Sequence, residues 1–114
     1  MQTDFRVDVR REPQATVLTI SGELDLASSP VLEERLDEVF GSDSDVVILD
    51  LRDLDFMDST GLSVLVKAHQ AAEAGDRQLC LVKGPPQVQR LLSLTGVADR
   101  LRVLDAPEDA LSGG

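Results

Sequence analysis

The residues best suited to chemistry lie in one short segment, Asp58-Ser59-Thr60-Gly61-Leu62. A run with helical periodicity follows, so the hydroxyl groups stand at a helix start, where about four backbone N–H groups lack intrahelical partners. Asp58 or Ser59 would cap that helix, a contribution of about 1 kcal/mol. The same amide dipoles would stabilise a phosphate carried by Ser59. The small Gly61 beside the hydroxyl is expected to leave space for the approach of a partner.

Residue sets typical of enzymes are sparse in this sequence. His69 is the single histidine and follows Ser59 by ten residues, almost three helical turns, so the two are not expected to form a catalytic pair. His69 and the single cysteine, Cys80, both lie in apolar patterns, which predict a partly buried packing position for His69 and a core position for Cys80. The sequence has no phosphate-binding glycine loop and no Cys/His metal spacing. We expect no catalytic residue, no cofactor and no metal.

The negative charge of the chain is concentrated in one segment. Eleven basic and 21 acidic side chains give a formal net charge of −10, which argues against nucleic acid and anionic membrane as partners. Residues 16–60 contain twelve acids and two bases, so they account for the whole imbalance. This segment forms either a solvated acidic face or a surface whose charge is used. A carboxylate-only Mg²⁺ site stays open at Asp50, Asp53, Asp55 and Asp58.

Length and composition predict one globular domain. The 114 residues are 42% hydrophobic and 28% charged, which suits a chain that fills one core. We expect residues 1–114 to form a single domain, with a core over about 5–111 and a frayed tail at 112–114. No stretch approaches the roughly 20 apolar residues of a membrane span, and no leader pattern opens the chain. With a single cysteine, the composition favours a cytoplasmic location.

The periodicities predict an α/β domain with the order β-β-α-β-α-β-α-β-(α). Strands are predicted near 4–10, 17–20, 46–51, 78–82 and 101–104, with a loop at 52–57 and a helical turn at 107–111. Ser29 is predicted to cap the first helix, with Pro30 in its first position. In the second helix, Leu62, Leu65, Val66 and His69 are predicted to form the inner stripe. Helices between strands predict a mixed, mostly parallel sheet with helices packed against it.

Three segments of the chain resemble the signatures of one family. The segment Asp58–Leu62, after a Val-Val-Ile-Leu-Asp strand, resembles the phosphorylation motif of anti-anti-sigma factors of the STAS domain family. The segment Ser21-Gly22-Glu23-Leu24-Asp25, with Ala27 and Pro30 following, resembles the family's other signature. Leu81–Pro85, leading into a helix that closes on Leu94-Thr95-Gly96, is similar to a third. Together the segments span roughly residues 5–111 in the expected order.

The resemblance implies a STAS-like fold and an anti-sigma factor antagonist. In that family the serine matching Ser59 is phosphorylated by the partner, an anti-sigma factor that is an ATP-dependent serine kinase. The unphosphorylated form binds this kinase and frees the sigma factor, and a PP2C-type phosphatase reverses the modification. Asp25 matches an acidic position that contributes to partner binding and phosphorylation. The resemblance thus implies a partner-binding surface at Asp25, Asp58, Ser59, Thr60, Gly61 and Leu62 of a chain that is monomeric when free. Thr60 stays open as a secondary phosphorylation site.

Two other functions stay open from the sequence. A receiver-like domain would use Asp50 as phospho-acceptor and Lys83 as its lysine. Such domains hold Mg²⁺ with an acidic pair after the first strand, where this chain has Arg10-Arg11, and 50–83 is too short for the intervening elements. Alternatively, the domain would be a scaffold or sensor element in a larger complex, with Ser59 acting only in helix capping.

Overall fold

The computed structural model describes residues 5–110, which form six strands, three α-helices and two short 3₁₀ turns. The strands are β1 (Arg6–Arg11), β2 (Thr16–Leu24), β3 (Val46–Asp50), β4 (Leu54–Met57), β5 (Gln78–Val82) and β6 (Arg102–Leu104). The helices are α1 (Ser29–Phe40), α2 (Ser59–Ala74) and α3 (Pro86–Thr95). The 3₁₀ turns are Val97–Asp99 and Pro107–Ala110.

The strands form one mixed sheet in the order β1-β2-β3-β5-β6. The opening hairpin β1–β2 is antiparallel, whereas β2–β3, β3–β5 and β5–β6 are parallel. The fourth strand, β4, lies off this path and pairs in parallel with the carboxyl-terminal end of β2. The predicted fold class, a mixed and mostly parallel sheet with packed helices, is therefore confirmed.

The two faces of the sheet bury separate apolar clusters. Leu18, Leu49 and Leu81 are in register on neighbouring strands and belong to the large cluster that α1, α2 and α3 cover. Val17, Ile48 and Cys80 alternate with them and point to the opposite face, where a smaller cluster forms. Because β3 and β5 are buried on both faces, their sequences read as continuous apolar runs.

The predicted loop at 52–57 is wrong, since Leu54–Met57 forms the strand β4. The run is only four residues long and contains an aspartate, which hides its strand character in the sequence. Tertiary pairing makes the strand, because β2 continues to Leu24 and offers β4 a partner. The register shifts at Gly22, whose φ of 92° requires glycine.

Two helix details also differ from prediction. Ser28, not Ser29, is the N-cap position of α1, and Ser29 is the first helical residue. The buried stripe of α2 consists of Gly61, Val64, Leu65, Ala68 and Ala72. Leu62, Val66 and His69, predicted to lie on this stripe, are half-buried at its margin, and for His69 this agrees with the predicted partly buried packing position.

Parts of the predicted domain lie outside the described residues. These are the start of the first predicted strand, Leu111 at the end of the predicted core, and the predicted frayed tail at 112–114. Within residues 5–110, no helix is long and apolar enough to cross a bilayer.

Candidate functional site

The two best-matched sequence signatures meet at the carboxyl-terminal edge of the sheet. Both β2 and β4 run toward this edge, and α1 and α2 begin just beyond them. The amide of Asp58 donates a hydrogen bond to the carbonyl oxygen of Leu24, with an N···O distance of 3.1 Å. Segments that lie more than thirty residues apart in sequence therefore share one surface.

Asp58 is the N-cap of α2. Its backbone is extended, with φ −102° and ψ −174°, and its Oδ1 accepts hydrogen bonds from Thr60 N at 2.9 Å and Gly61 N at 3.1 Å. The carboxylate thus takes two of the amide groups that a helix start leaves unpaired. Of the two predicted caps, Asp58 is the one the structure uses.

Ser59 occupies the first helical position, and its side chain is exposed. Its carbonyl oxygen accepts a hydrogen bond from Ser63 Oγ at 3.1 Å, one turn further along α2. Thr60 and Leu62 are half-buried beside it. Ser59 therefore combines exposure with a position at the positive end of the 16-residue helix dipole.

Gly61 has a different role from the one predicted. It is buried, and a Cβ built at this position would lie 2.7 Å from Leu24 Cγ and 2.9 Å from Met57 Cγ. The absent side chain lets α2 approach the ends of β2 and β4. The predicted space for a partner is wrong, because the protein's own side chains fill it.

Asp25 organises the turn between β2 and α1. Its Oδ1 accepts hydrogen bonds from the backbone amides of Ala27 and Ser28, each at 3.1 Å, and from Ser28 Oγ at 3.1 Å. Ser28 Oγ also lies 2.7 Å from the carbonyl oxygen of Glu23, and its single proton can be donated either to this oxygen or to Asp25 Oδ1. Asp25 stays half-exposed, so it both shapes the turn and presents negative charge at the surface.

Exposed apolar side chains flank these residues. Leu26, next to Asp25, is 75% exposed, and Phe56 on β4 is 46% exposed. Phe56 is the register partner of the exposed Glu23 on β2. The exposure of both apolar residues was not predicted from the sequence, although each follows an aspartate, which favours a surface position. Single exposed apolar side chains are common on protein surfaces, and these two lie beside acidic residues of the Ser21–Asp25 signature, Asp25 and Glu23.

The alternatives that use Asp50 do not fit the geometry. Asp50 is 4% exposed, and its Oδ2 lies 2.7 Å from Arg52 Nη2 while Oδ1 accepts from Arg52 N. The hydrogen bond to Asp50 raises the pKa of Arg52. Lys83 pairs with Asp105 at 3.3 Å rather than with Asp50. Asp50 is thus a buried structural carboxylate and not an accessible phospho-acceptor.

The predicted Mg²⁺ alternative is not supported by the arrangement of its carboxylates. Asp50 is occupied by Arg52, and Asp58 caps α2. Among residues 5–110, no group of three or more His, Cys, Asp or Glu side chains could hold a metal ion.

His69 and Cys80 lie in structural surroundings. His69 Nε2 lies 3.3 Å from Glu73 Oε1, one turn along α2, and the imidazole is about one-fifth exposed at 21%. Cys80 is fully buried in the smaller cluster, and burial raises the pKa of its thiol. The predicted packing position of Cys80 is confirmed.

Comparison with known proteins gives consistent matches over nearly the whole chain. The family model of the STAS domain matches residues 6–110. The "Anti-sigma-B factor antagonist" of Bacillus subtilis (strain 168) is 33% identical over 96 residues, which are 84% of this chain and 87% of that protein.

Solved structures show the same fold. An anti-sigma factor antagonist from Mycobacterium paratuberculosis superposes with a TM-score of 0.87 at 24% identity, covering 96% of this chain and 92% of that one. The Bacillus cell fate determinant SpoIIAA in its phosphorylated form matches with a TM-score of 0.71 at 18% identity, over 95% and 96% of the two chains.

Proposed function

Since the chain belongs to the STAS domain family, we propose that it is an anti-sigma factor antagonist whose partner binding is switched off by phosphorylation of Ser59. The unphosphorylated chain binds an anti-sigma factor with serine kinase activity and thereby releases a sigma factor. A PP2C-type phosphatase restores the binding form. The protein acts by binding and not by catalysis, and its surface comprises Asp25, Asp58, Ser59, Thr60, Leu62 and the exposed apolar neighbours.

One observation carries this proposal: an exposed serine at the first position of α2, beside the turn that Asp25 organises. The Leu24–Asp58 hydrogen bond holds the two segments together. The curated relative from Bacillus subtilis bears the name of an anti-sigma-B factor antagonist. SpoIIAA, which shares the fold, exists in a phosphorylated form.

Electrostatics gives the phosphate a large effect at this position. Phosphorylation adds about −1.5 to −2 charges, next to Asp58 and on the same edge as Asp25 and Glu23. Two like unit charges about 6 Å apart repel by about 1.4 kcal/mol at an effective dielectric constant of about 40, and salt roughly halves this. A dianion facing one partner carboxylate would thus weaken binding by about tenfold.

The amides of α2 add a local constraint on the phosphate. Asp58 Oδ1 already accepts from Thr60 N and Gly61 N. A phosphate on Ser59 would either compete for these amides or stay outside the helix start, directed at the partner. Both outcomes change the charge and shape of the surface without unfolding the domain.

The test combines binding and phosphorylation. Tagged wild-type chain is used to isolate its kinase partner from the native host, and the purified kinase with ATP is then offered wild type, Ser59→Ala and Ser63→Ala. Phosphate should enter wild type and Ser63→Ala but not Ser59→Ala, and intact-mass analysis measures it. Equal incorporation into all three would contradict the proposal.

The same experiment separates the switch from a scaffold or sensor role. In the latter role, Ser59 is unmodified and Ser59→Asp binds the partner as wild type does. The switch predicts that Ser59→Asp weakens binding whereas Ser59→Ala retains it. Calorimetric titration of the kinase into each variant measures the difference.

A further inference from the structure

We propose that the groove between α1 and α2 is a second docking element for the same partner, and that it receives a basic amphipathic segment of the anti-sigma factor. This inference rests on the proposed function but extends the contact surface away from Ser59. It assigns binding roles to Glu33, Asp37 and Ala71, which none of the three signature segments contains.

The groove has an apolar floor and an acidic wall. It encloses about 180 Å³ between the two helices. Leu36, Val64 and Ala68 are buried beneath it, and Phe40 lies half-buried along its lining. The Arg77 guanidinium lies 5.5 Å from the centre of the Phe40 ring and holds that side of the groove in place. A volume of this size suits one or two apolar side chains of a partner.

The α2 wall of the groove continues toward the first turn of the helix, where Thr60 lies next to the phosphorylation position. Val64, Lys67 and Ala71 line the groove, and at spacings of three and four they share a face of α2 with Thr60. Residues spaced by four are neighbours on one side of a helix. A partner segment that lies in the groove therefore extends along α2 toward Thr60, the neighbour of Ser59.

Charge determines what kind of segment fits. Glu33 and Asp37 are exposed on the α1 wall, and Glu34 and Glu38 extend the acidic face of this helix. Arg35 is the only base of α1, and it is paired with Glu38 at 3.0 Å. Lys67 alone supplies positive charge to the opposite wall. An occupant with lysine or arginine toward α1 and an apolar side chain toward the floor complements this pattern.

The groove and the Ser59 end of the surface contribute differently to binding. The groove supplies attraction that does not change on phosphorylation, whereas the Ser59 end carries the switched charge. The groove variants should therefore weaken the unphosphorylated complex without altering the ability of the phosphate to reduce affinity further.

The test measures the affinity of the purified kinase for groove variants with matched controls. The double variant Glu33→Gln/Asp37→Asn should weaken binding by roughly fivefold and flatten the dependence of affinity on NaCl concentration. Asp99→Asn, an exposed acid on the Val97–Asp99 turn, is its control and should bind like wild type. Ala71→Arg fills the groove and should weaken binding by more than about tenfold, whereas Gln70→Arg, exposed on the neighbouring side of α2, should not.

The outcomes separate the two proposals. If the kinase phosphorylates wild type at Ser59 and phosphate reduces binding, but all groove variants bind like wild type, the groove inference is wrong and the proposed function stands. If groove variants instead abolish dimerisation of this chain in sedimentation, the occupant is a second copy and the inference is also wrong. If the kinase neither binds nor phosphorylates the wild-type chain, both proposals are wrong. Unchanged circular dichroism and melting temperature confirm that each variant is folded.

Discussion

The amide nitrogen of Asp58 lies 3.1 Å from the carbonyl oxygen of Leu24, to which it donates a hydrogen bond. The bond continues the parallel pairing of β4 with β2, in which Leu24 is the register partner of Met57. It fixes the start of α2 against the end of β2. Consequently the exposed Ser59 and the half-exposed Asp25 lie on the same edge of the domain.

The cap of α2 depends on the acceptor oxygen of Asp58 and not on its charge alone. Asp58→Asn retains an amide oxygen that can accept from Thr60 N and Gly61 N, so its free energy of unfolding should stay within about 0.5 kcal/mol of wild type. Asp58→Ala removes both hydrogen bonds and should cost about 1 kcal/mol. Urea denaturation measures both values. Equal stability of the two variants would contradict the capping role.

Gly61 is predicted to be intolerant of any side chain. A Cβ there would lie within 3 Å of Leu24 and Met57 atoms, so Gly61→Ala should destabilise the domain by about 1–3 kcal/mol. At Gly75 the nearest atom to a Cβ is 3.6 Å away, which makes Gly75→Ala the matched control with little loss of stability. Thermal unfolding of both variants distinguishes them, and a Gly61→Ala protein as stable as Gly75→Ala would refute the close packing.

The pair Asp50–Arg52 should contribute to stability although Arg52 is half-exposed. Arg52→Ala leaves the buried Asp50 carboxylate without its side-chain partner and should cost about 1–3 kcal/mol. Arg35→Ala breaks the exposed pair with Glu38 and should cost less than about 0.5 kcal/mol. Chemical denaturation of the two variants provides the comparison. Similar losses in both would show that the burial of Asp50 is unimportant.

Cys80 is predicted to be unreactive until the chain opens. Burial raises the pKa of its thiol and denies reagents access, so the native protein at pH 8 should react with a thiol reagent far more slowly than the urea-unfolded chain. Because burial raises the pKa of the folded thiol, the unfolded chain loses its thiol proton at a lower pH than the folded chain does. The free energy of unfolding is therefore unaffected at neutral pH and falls as pH rises from the unfolded pKa through the folded pKa. Colorimetric thiol titration measures the rates, and rapid labelling of the native chain would contradict the buried position.

The sequence predicts most of this fold because its elements have strong local signals. Two strands can be predicted from the apolar runs at 46–51 and 78–82, and two helices from the prolines at their starts. These local patterns suffice without information on the neighbouring elements. The strand β4 has no such signal, since it is formed by pairing with the extended end of β2. The buried stripe of α2 differs from the predicted one for a related reason. The close approach of Gly61 to Leu24 determines which side of the helix faces the sheet.

The candidate site was predictable where a residue acts through local chemistry. The spacing alone predicts a cap at Asp58 or Ser59 and places Ser59 at the helix start, and the structure identifies Asp58 as the cap. The exposure of Phe56 and Leu26 and the acidic groove beside α2 arise from tertiary packing, so periodicity in one segment cannot reveal them.

The most direct test of the switch is the affinity of the kinase partner for the chain with and without phosphate on Ser59. Stoichiometrically phosphorylated and untreated wild type are each titrated calorimetrically at the same ionic strength, with Ser59→Ala carried through the kinase reaction as control. The phosphorylated protein should bind at least about tenfold more weakly, and phosphatase treatment should restore the original affinity. Equal affinity of the two forms would contradict the account.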